Sequence, residues 1–219
     1  MIGQKTAIAV SFLAMVGLIC LVVQPRHPDG MASRANSSAL VEFYGESLCP
    51  DCRHMVLDVL APLYENGVAQ LMHLKYIAYG KVKDGQCQHG TVECKYNRYI
   101  NCAQSLHGDS WFPYVQCLAK NLTSIATDAP GCAETQGWDA SELDACAGGA
   151  RGEALGKEAG EATTQLQPAL TNVPWVIVNG VPVGKDFENL DRYLCAAAGG
   201  PGANRPSACA DLTDNTRFG

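Results

Sequence analysis

The sequence predicts an α/β fold in which a β-α-β unit and a β-β-α unit flank a cysteine-rich helical insertion. Apolar runs rich in Val, Ile and aromatic residues recur at 39–44, 71–79 and 173–178, which is typical of buried strands. Stretches with apolar residues at helical spacing follow the first run and the last. Six of the eleven cysteines lie between 86 and 150, so this middle part differs in character from the rest.

The composition is that of a globular domain in an oxidising compartment. Apolar residues make up 47% of the 219 and charged residues 17%, which excludes a disordered chain. The formal net charge is −6, whereas nucleic-acid-binding domains present a basic face, so we expect no nucleic acid among the partners. Eleven cysteines are unusual in a reduced cytosolic protein.

Residues 1–23 have the pattern of a secretory signal. A short segment with one lysine precedes an uncharged apolar run at 7–23, the order of the n-region and the h-region. The run is also close to the shortest stretch that spans a bilayer, and no sharp cleavage site follows. A cleaved signal peptide and a retained signal anchor both stay open, and membrane contact is expected only for the anchor.

Both readings of the leader place the remaining chain in the secretory pathway. Residues 24–38 are polar and contain two prolines, so we interpret them as a linker. Two N-glycosylation sequons, at Asn36 and Asn121, agree with a lumenal location.

Turn and helix-boundary residues between the apolar runs indicate the first β-α-β unit. After a turn at 45–48, Pro50 stands where the first turn of a helix accepts a proline. Apolar residues at helical spacing continue to Asn66-Gly67, which end the helix before the second strand.

The second unit closes the predicted domain. Residues 150–166 are rich in Ala, Glu and Lys and form a helix by propensity. The third strand turns at Asn179-Gly180, a two-residue hairpin signal, into a fourth strand at 181–183. Apolar residues from 187 to 194 mark a closing helix. The expected boundaries are a folded domain at 39–195, its helical insertion at about 86–150, and a loose tail at 196–219.

Cys49 and Cys52 form a C-x-x-C pair between the first strand and the first helix. This layout, with the β-α-β and β-β-α order, predicts a thioredoxin-like core. Unpaired N–H groups at the helix start stabilise a thiolate, so we expect Cys49 to attack a disulfide and Cys52 to resolve the mixed disulfide. Asp51 is expected to raise the thiol pKa, and protonated His54 to offset that effect.

Two other readings of the C-x-x-C pair need no redox chemistry. The pair could be an inert disulfide, or it could be half of a zinc site. Zinc would need a second close pair, and Cys87, His89 and Cys94 offer one at a spacing that fits no common zinc pattern. The strand–C-x-x-C–helix context favours the redox reading.

Two further residues are candidates for the site. Pro174 opens the third strand, where a cis-proline in a thioredoxin-like fold faces the C-x-x-C pair and holds extended substrate. We therefore expect a cis Val173–Pro174 bond, although a proline is also simply tolerated at the start of a strand. Glu42 lies in an otherwise apolar strand. It could move protons for the resolving thiol if buried, and it is an ordinary polar residue if it faces solvent.

The remaining lumenal cysteines are expected to be structural, in disulfides. We expect Cys195 to pair with Cys209, because a bridge there would tie the Gly- and Pro-rich tail to the last helix. The other six are expected to pair within the insertion, and the sequence does not choose among their pairings: Cys87, Cys94, Cys102, Cys117, Cys132 and Cys146.

The segment 87–102 reads C-Q-H-G-T-V-E-C-K-Y-N-R-Y-I-N-C. It resembles the signature C-Q-H-G-x-x-E-C-x-x-N-x-x-x-x-C of the gamma-interferon-inducible lysosomal thiol reductase (GILT) family at every fixed position. The segment around Cys49 and Cys52, the Val173-Pro174 pair and the later cysteines also resemble family positions. The resemblance covers roughly residues 39–210.

The resemblance implies a thiol reductase of lysosomes, vacuoles or secreted fluid that acts on protein disulfides, often at acidic pH. Cys49 and Cys52 would be its dithiol, the signature cysteines would be structural, and no metal or organic cofactor is implied. The implied partners are disulfide-bonded protein substrates and a small-thiol or protein reductant. The alternative is a non-catalytic, disulfide-bonded lumenal or secreted binding module whose C-x-x-C pair is structural.

Overall fold

The computed structural model describes residues 38–198 and 207–210. Their centre is a four-stranded sheet with the strand order β2-β1-β3-β4. β1 pairs in parallel with β2 and antiparallel with β3, and β3 pairs antiparallel with β4. The strands span Ala39–Gly45 (β1), Met72–Ala78 (β2), Trp175–Val178 (β3) and Val181–Pro182 (β4). The predicted order of strands and helices along the chain is confirmed, with β3 shorter than expected.

The helix that follows β1 is interrupted by a wider turn. It consists of α1 (Pro50–His54), a π-helical segment (Met55–Leu60) and α2 (Ala61–Glu65). Pro62 has no N–H to donate to the carbonyl four residues earlier, which disfavours regular α-helix just before it. The chain leaves the helix at Gly67, whose φ of +80° suits glycine and ends the element where the sequence predicted.

Along the chain, five α-helices follow β2 and precede β3. They are α3 (Thr91–His107), α4 (Phe112–Ala119), α5 (Ile125–Thr135), α6 (Ala140–Gly148) and α7 (Ala150–Thr164). The predicted insertion is therefore helical. Ala159 of α7 packs against Tyr44, Ile77 and Ile177, so this helix covers one face of the sheet. A closing helix, α8 (Leu190–Ala197), follows β4.

Four disulfides hold the helices and the tail in place. Cys102–Cys146 joins α3 to α6, Cys117–Cys132 joins α4 to α5, and Cys87–Cys94 closes the loop before α3. These three bridges lie within the insertion, as expected. The predicted pairing of Cys195 with Cys209 is also confirmed, and it ties the described part of the tail to α8.

Side chains of α3 protect the outer edge of β2, which is an edge strand of the sheet. Gln104 accepts from the backbone N–H of Tyr76 (2.9 Å) and donates to its carbonyl (2.7 Å). Asn101 makes the same pair of bonds with Ala78, at 3.2 and 3.0 Å. The two amides thus replace the hydrogen bonds that a neighbouring strand would make.

Several expectations fall at the ends of the chain. The signal segment 1–23, the linker to residue 37, the Asn36 sequon and most of the tail lie outside the described residues. Within the described ranges, no helix combines the length and the apolar character needed to cross a membrane. Asn121 is exposed, and its Oδ1 accepts from Thr123, the third residue of the sequon. Its glycosylation stays a prediction.

Candidate active site

The C-x-x-C pair lies at the junction of β1 and α1. Cys49 is the N-cap of α1, with extended backbone, and its Sγ accepts a hydrogen bond from the N–H of Cys52 at 3.4 Å. Pro50 follows at the first helical position, where its missing N–H costs no hydrogen bond. Both thiols are reduced, and they are the free cysteines of the described residues.

The pKa values of the two thiols are shifted in opposite directions. The pKa of Cys49 is lowered from 9.0 to about 7, chiefly because the Cys52 thiol donates a hydrogen bond to its sulfur and also because backbone N–H groups of the helix start point at it. The pKa of Cys52 is raised well above 9.0, because burial disfavours its thiolate. Cys49 is therefore the group that ionises first, and Cys52 stays a thiol.

Two neighbours of the pair differ from expectation. Asp51 is exposed, and its effect on Cys49 comes through its backbone N–H, which lowers the pKa instead of raising it. The imidazole of His54 binds Asp58 through Nδ1 at 2.9 Å and Glu188 through Nε2 at 2.8 Å. His54 was expected to place a positive charge beside the thiolate, but its imidazole is bound by two carboxylates instead.

A buried carboxyl that the sequence did not single out lies beside the dithiol. Glu46 is in the turn after β1, and only 1% of the residue is exposed. Its backbone N–H donates to Cys52 Sγ at 3.4 Å. Burial raises the pKa of the Glu46 carboxyl, and its charge raises the pKa of both cysteines. Its position three residues before Cys49 was the sequence signal that could have indicated a role at the site. A charged residue in a turn, however, is normally expected to be exposed to solvent.

The loop before α3 brings two more residues of the 87–102 segment to Glu46. His89 Nδ1 lies 2.5 Å from Glu93 Oε2 and 3.6 Å from Glu46 Oε2. Among the described residues, these three form a group whose donor atoms could hold a metal ion, with the atoms within 4.8 Å of one another. Sequence reasoning had considered His89 for zinc only together with Cys87 and Cys94, and those two cysteines form a disulfide.

Pro174 lies at the end of the sheet that carries the dithiol. The Val173–Pro174 bond is cis, as predicted. Trp175 pairs with Tyr44, so Pro174 is one residue beyond that pair, level with the turn that leads to Cys49. Val173 packs in the same apolar cluster as both cysteines. Direct contact between Pro174 and the C-x-x-C pair stays a prediction.

Glu42 is not brought to the dithiol. Strand residues alternate between faces, and the residues on either side of it, Val41 and Phe43, pack in the cluster that contains Cys52. Glu42 therefore shares the opposite face with Tyr44, whose hydroxyl donates to it at 3.4 Å. The proton-moving role considered for Glu42 is corrected on this ground.

Sequence comparisons give one family. A family model described as gamma interferon inducible lysosomal thiol reductase (GILT) matches residues 40–136. The mouse protein "Gamma-interferon-inducible lysosomal thiol reductase" is 28% identical over 188 residues, which cover 81% of this chain and 74% of the mouse one. A "Gamma-interferon-inducible lysosomal thiol reductase-like protein" of Anopheles gambiae is 30% identical over 164 residues, covering 64% of this chain and 67% of its own.

Solved structures share the fold. MdbA, a thiol-disulfide oxidoreductase from Corynebacterium diphtheriae, superposes with a TM-score of 0.55 at 18% identity, covering 74% of this chain and 86% of its own. Reduced DsbA from Mycobacterium tuberculosis gives 0.57 at 15% identity, covering 88% and 94%. With the observed strand order, these matches confirm the predicted thioredoxin-like α/β fold.

Proposed function

The chain belongs to the gamma-interferon-inducible lysosomal thiol reductase family, and on that premise we propose that it reduces protein disulfides through Cys49 and Cys52 in an acidic lumenal compartment. It is a thiol-disulfide oxidoreductase, so its substrates contain disulfides and its turnover needs a reductant. The direction of the reaction, the reacting residues and the compartment are the parts that we propose.

The reaction uses the two cysteines in sequence. The Cys49 thiolate attacks one sulfur of a substrate disulfide, and the other substrate sulfur leaves and takes a proton. Cys52 then attacks Cys49 Sγ and breaks the mixed disulfide, and its proton ends on the second substrate sulfur, which leaves as a thiol. The pair ends as the Cys49–Cys52 disulfide, and a small thiol or a protein dithiol must supply two electrons to reduce it again.

The difference in surroundings of the two thiols is the single observation that carries this proposal: Cys49 Sγ caps the start of α1 and accepts from the N–H of Cys52, whereas Cys52 is only 1% exposed. Two structural thiols would need no such difference, whereas a nucleophile and a resolving group do. Lowering the pKa of Cys49 from 9.0 to about 7 raises the thiolate fraction at acidic pH about 100-fold. A low thiol pKa matters most in a compartment where an ordinary cysteine is almost fully protonated.

Pro174 is proposed to position the substrate. The strand register puts Pro174 level with the turn that leads to Cys49, so an extended substrate chain held there would lie beside that turn. Such a chain would present its disulfide to Cys49.

A lysosomal, vacuolar or secreted location is proposed from the family and from the cysteine content. The mouse relative is named as a lysosomal protein. Four disulfides among the described residues agree with an oxidising lumen. The proposed cleaved or retained leader at 1–23 would direct the chain there.

An insulin-reduction assay tests the proposal. Wild-type protein, Cys49→Ser and the exposed control Ser110→Ala are compared from about pH 4.5 to 7.5 with a small-thiol reductant. We expect catalysis by wild type and by Ser110→Ala, and none above the reductant alone by Cys49→Ser. Equal rates for wild type and Cys49→Ser at every pH would support the non-catalytic binding module instead.

A further inference from the structure

Three side chains meet beside the dithiol in a small cluster, which we call the 46/89/93 cluster after Glu46, His89 and Glu93. Both carboxylates are fully buried, whereas the imidazole is 31% exposed. The imidazole therefore closes the cluster on its solvent side. Its Nδ1 faces Oε2 of both carboxylates, at 3.6 Å from Glu46 and 2.5 Å from Glu93.

Each carboxylate is held at Oε1 by a backbone N–H. Of the two Oε2 atoms, that of Glu93 is hydrogen-bonded to His89 Nδ1 and that of Glu46 has no hydrogen bond. Oε1 of Glu46 accepts from the backbone N–H of Lys81 at 2.6 Å. Oε1 of Glu93 accepts from the backbone N–H of His89 at 3.0 Å. In metal sites, outer hydrogen bonds of this kind orient the ligating carboxylates. The two Oε2 atoms and the imidazole nitrogen lie within 4.8 Å of one another.

Glu46 Oε2 is the atom that most needs a partner. It is buried and makes no hydrogen bond within the described structure. A buried carboxylate oxygen without a partner is costly, and in this cluster one imidazole faces two carboxylates. A cation between the three donor atoms would satisfy the unpartnered oxygen and balance the second carboxylate.

We propose that the 46/89/93 cluster binds a divalent first-row transition-metal ion, with Zn²⁺ as the best match. The ligands are Oε2 of Glu46, Oε2 of Glu93 and Nδ1 of His89. Zinc binds carboxylate oxygen and imidazole nitrogen at about 2.0–2.2 Å, and three protein ligands leave a position for solvent. The donor atoms lie within 4.8 Å of one another. On binding, the hydrogen bond between His89 Nδ1 and Glu93 Oε2 opens and its proton leaves, so that both atoms face the ion.

The loop that carries His89 is suited to such a site. The Cys87–Cys94 disulfide closes it against the start of α3. The ion would join this loop to α3 and to the turn before Cys49, since Glu46 belongs to that turn. The inference does not depend on the proposed reductase activity, because binding is measured on oxidised protein.

Zinc binding by the full chain tests the site. Because a reduced C-x-x-C pair can itself bind zinc, the Cys49–Cys52 pair is first oxidised and any remaining thiol is alkylated. Calorimetry at neutral pH is expected to show one Zn²⁺ per chain. Glu46→Gln, Glu93→Gln and His89→Gln are each expected to weaken binding about tenfold or more.

The chain offers a matched control. His54 also contacts two carboxylates, but Asp58 bonds to its Nδ1 and Glu188 to its Nε2. Because they contact different ring nitrogens, the two carboxylates cannot bind one ion together with a single nitrogen of His54. His54→Gln is expected to bind Zn²⁺ as wild type does. Unfolding curves establish whether each variant is folded. If Glu46→Gln or Glu93→Gln does not fold, the His89→Gln result decides.

A cobalt spectrum of wild-type protein provides a readout without substitutions. Weak visible bands without thiolate-to-metal charge transfer are expected for oxygen and nitrogen ligands. Absence of Zn²⁺ binding by oxidised wild type, or unchanged binding in His89→Gln, would overturn the proposal. Binding that is lost in His54→Gln would overturn it as well.

Discussion

The Oδ1 atom of Asn97 accepts a hydrogen bond from the backbone N–H of Ser47 at 2.8 Å. Ser47 lies two residues before Cys49, whereas Asn97 is on α3, fifty positions further along the chain. The Ser47 hydroxyl donates in turn to the carbonyl of Glu93 at 3.1 Å. Helix α3 therefore fixes the turn that leads to Cys49, the proposed nucleophile, and the 87–102 segment acts on the dithiol through this turn.

Asn97→Ala is expected to destabilise the protein by about 1–3 kcal/mol, because it leaves the buried N–H of Ser47 without an acceptor. The exposed Asn172→Ala is the control and should change stability by less than about 0.5 kcal/mol. Urea unfolding of both variants measures the difference. Equal midpoints for the two would show that α3 does not hold the turn.

The elements that the sequence predicts best are those with local signals. The apolar run at 39–44 and the C-x-x-C pair after it predict a strand that leads into a helix start, and the structure has both. The Cys195–Cys209 bridge was predictable because it closes a short loop with little apolar surface. For the six insertion cysteines only the set could be predicted, because helix packing brings residues as distant as Cys102 and Cys146 together.

The burial of Glu46 beside the dithiol was not predictable either, because it too depends on contacts between residues that are distant in the sequence. Glu46 is buried by Gly80, Lys81 and His89, which come from a loop more than thirty residues away. For Glu42 the sequence left both burial and solvent exposure open, because its strand is otherwise apolar. An α/β sheet covered on both faces makes such a strand apolar on both sides, so the pattern does not show which face holds the dithiol.

The pH dependence of alkylation should separate the two cysteines. Because the pKa of Cys49 is lowered to about 7, its reaction with iodoacetamide in reduced protein should be half-maximal near that pH. At pH 5 only about one hundredth of Cys49 is thiolate, so labelling slows as pH falls. Cys52 should stay unlabelled over this range, since burial raises its pKa.

Peptide mapping after timed alkylation measures both rates. The same protein in urea is the control, because its thiols should titrate near the ordinary value of about 8.5. Faster labelling of Cys52 than of Cys49 would contradict the assigned order of the two thiols.

Substitution of Cys52, the proposed resolving cysteine, should trap substrate. Cys52→Ser keeps the Cys49 nucleophile but cannot break the mixed disulfide, so covalent adducts with a disulfide-bonded protein should accumulate. Cys49→Ser should give none. Non-reducing electrophoresis detects the adducts, and their appearance with Cys49→Ser alone would reverse the two roles.

Gly80 leaves room for the buried Glu46 side chain. A Cβ at Gly80 would lie 2.0 Å from Glu46 Cγ, whereas a Cβ at Gly85 meets no atom within 4 Å. Both glycines have positive φ, +67° and +75°, so alanine strains the backbone in both. Gly80→Ala should therefore cost about 1–3 kcal/mol more than Gly85→Ala. Similar unfolding free energies for the two would show that Glu46 moves aside freely.

The amide of Gln104 should be needed to keep β2 a protected edge. Gln104→Met has a similar length but cannot bond the N–H and carbonyl of Tyr76, which are left unpaired at a strand edge. We expect a stability loss of about 1–3 kcal/mol and an increased tendency to associate, because unpaired strand edges recruit other strands.

Gln165→Met is the control for Gln104→Met, because Gln165 is exposed at the end of α7. Urea unfolding gives the stability change, and light scattering at rising protein concentration reports association. The two readouts separate a lost internal bond, which lowers stability alone, from an opened edge, which also raises scattering. If Gln104→Met matches Gln165→Met in both, neighbouring Asn101 is sufficient to protect the edge.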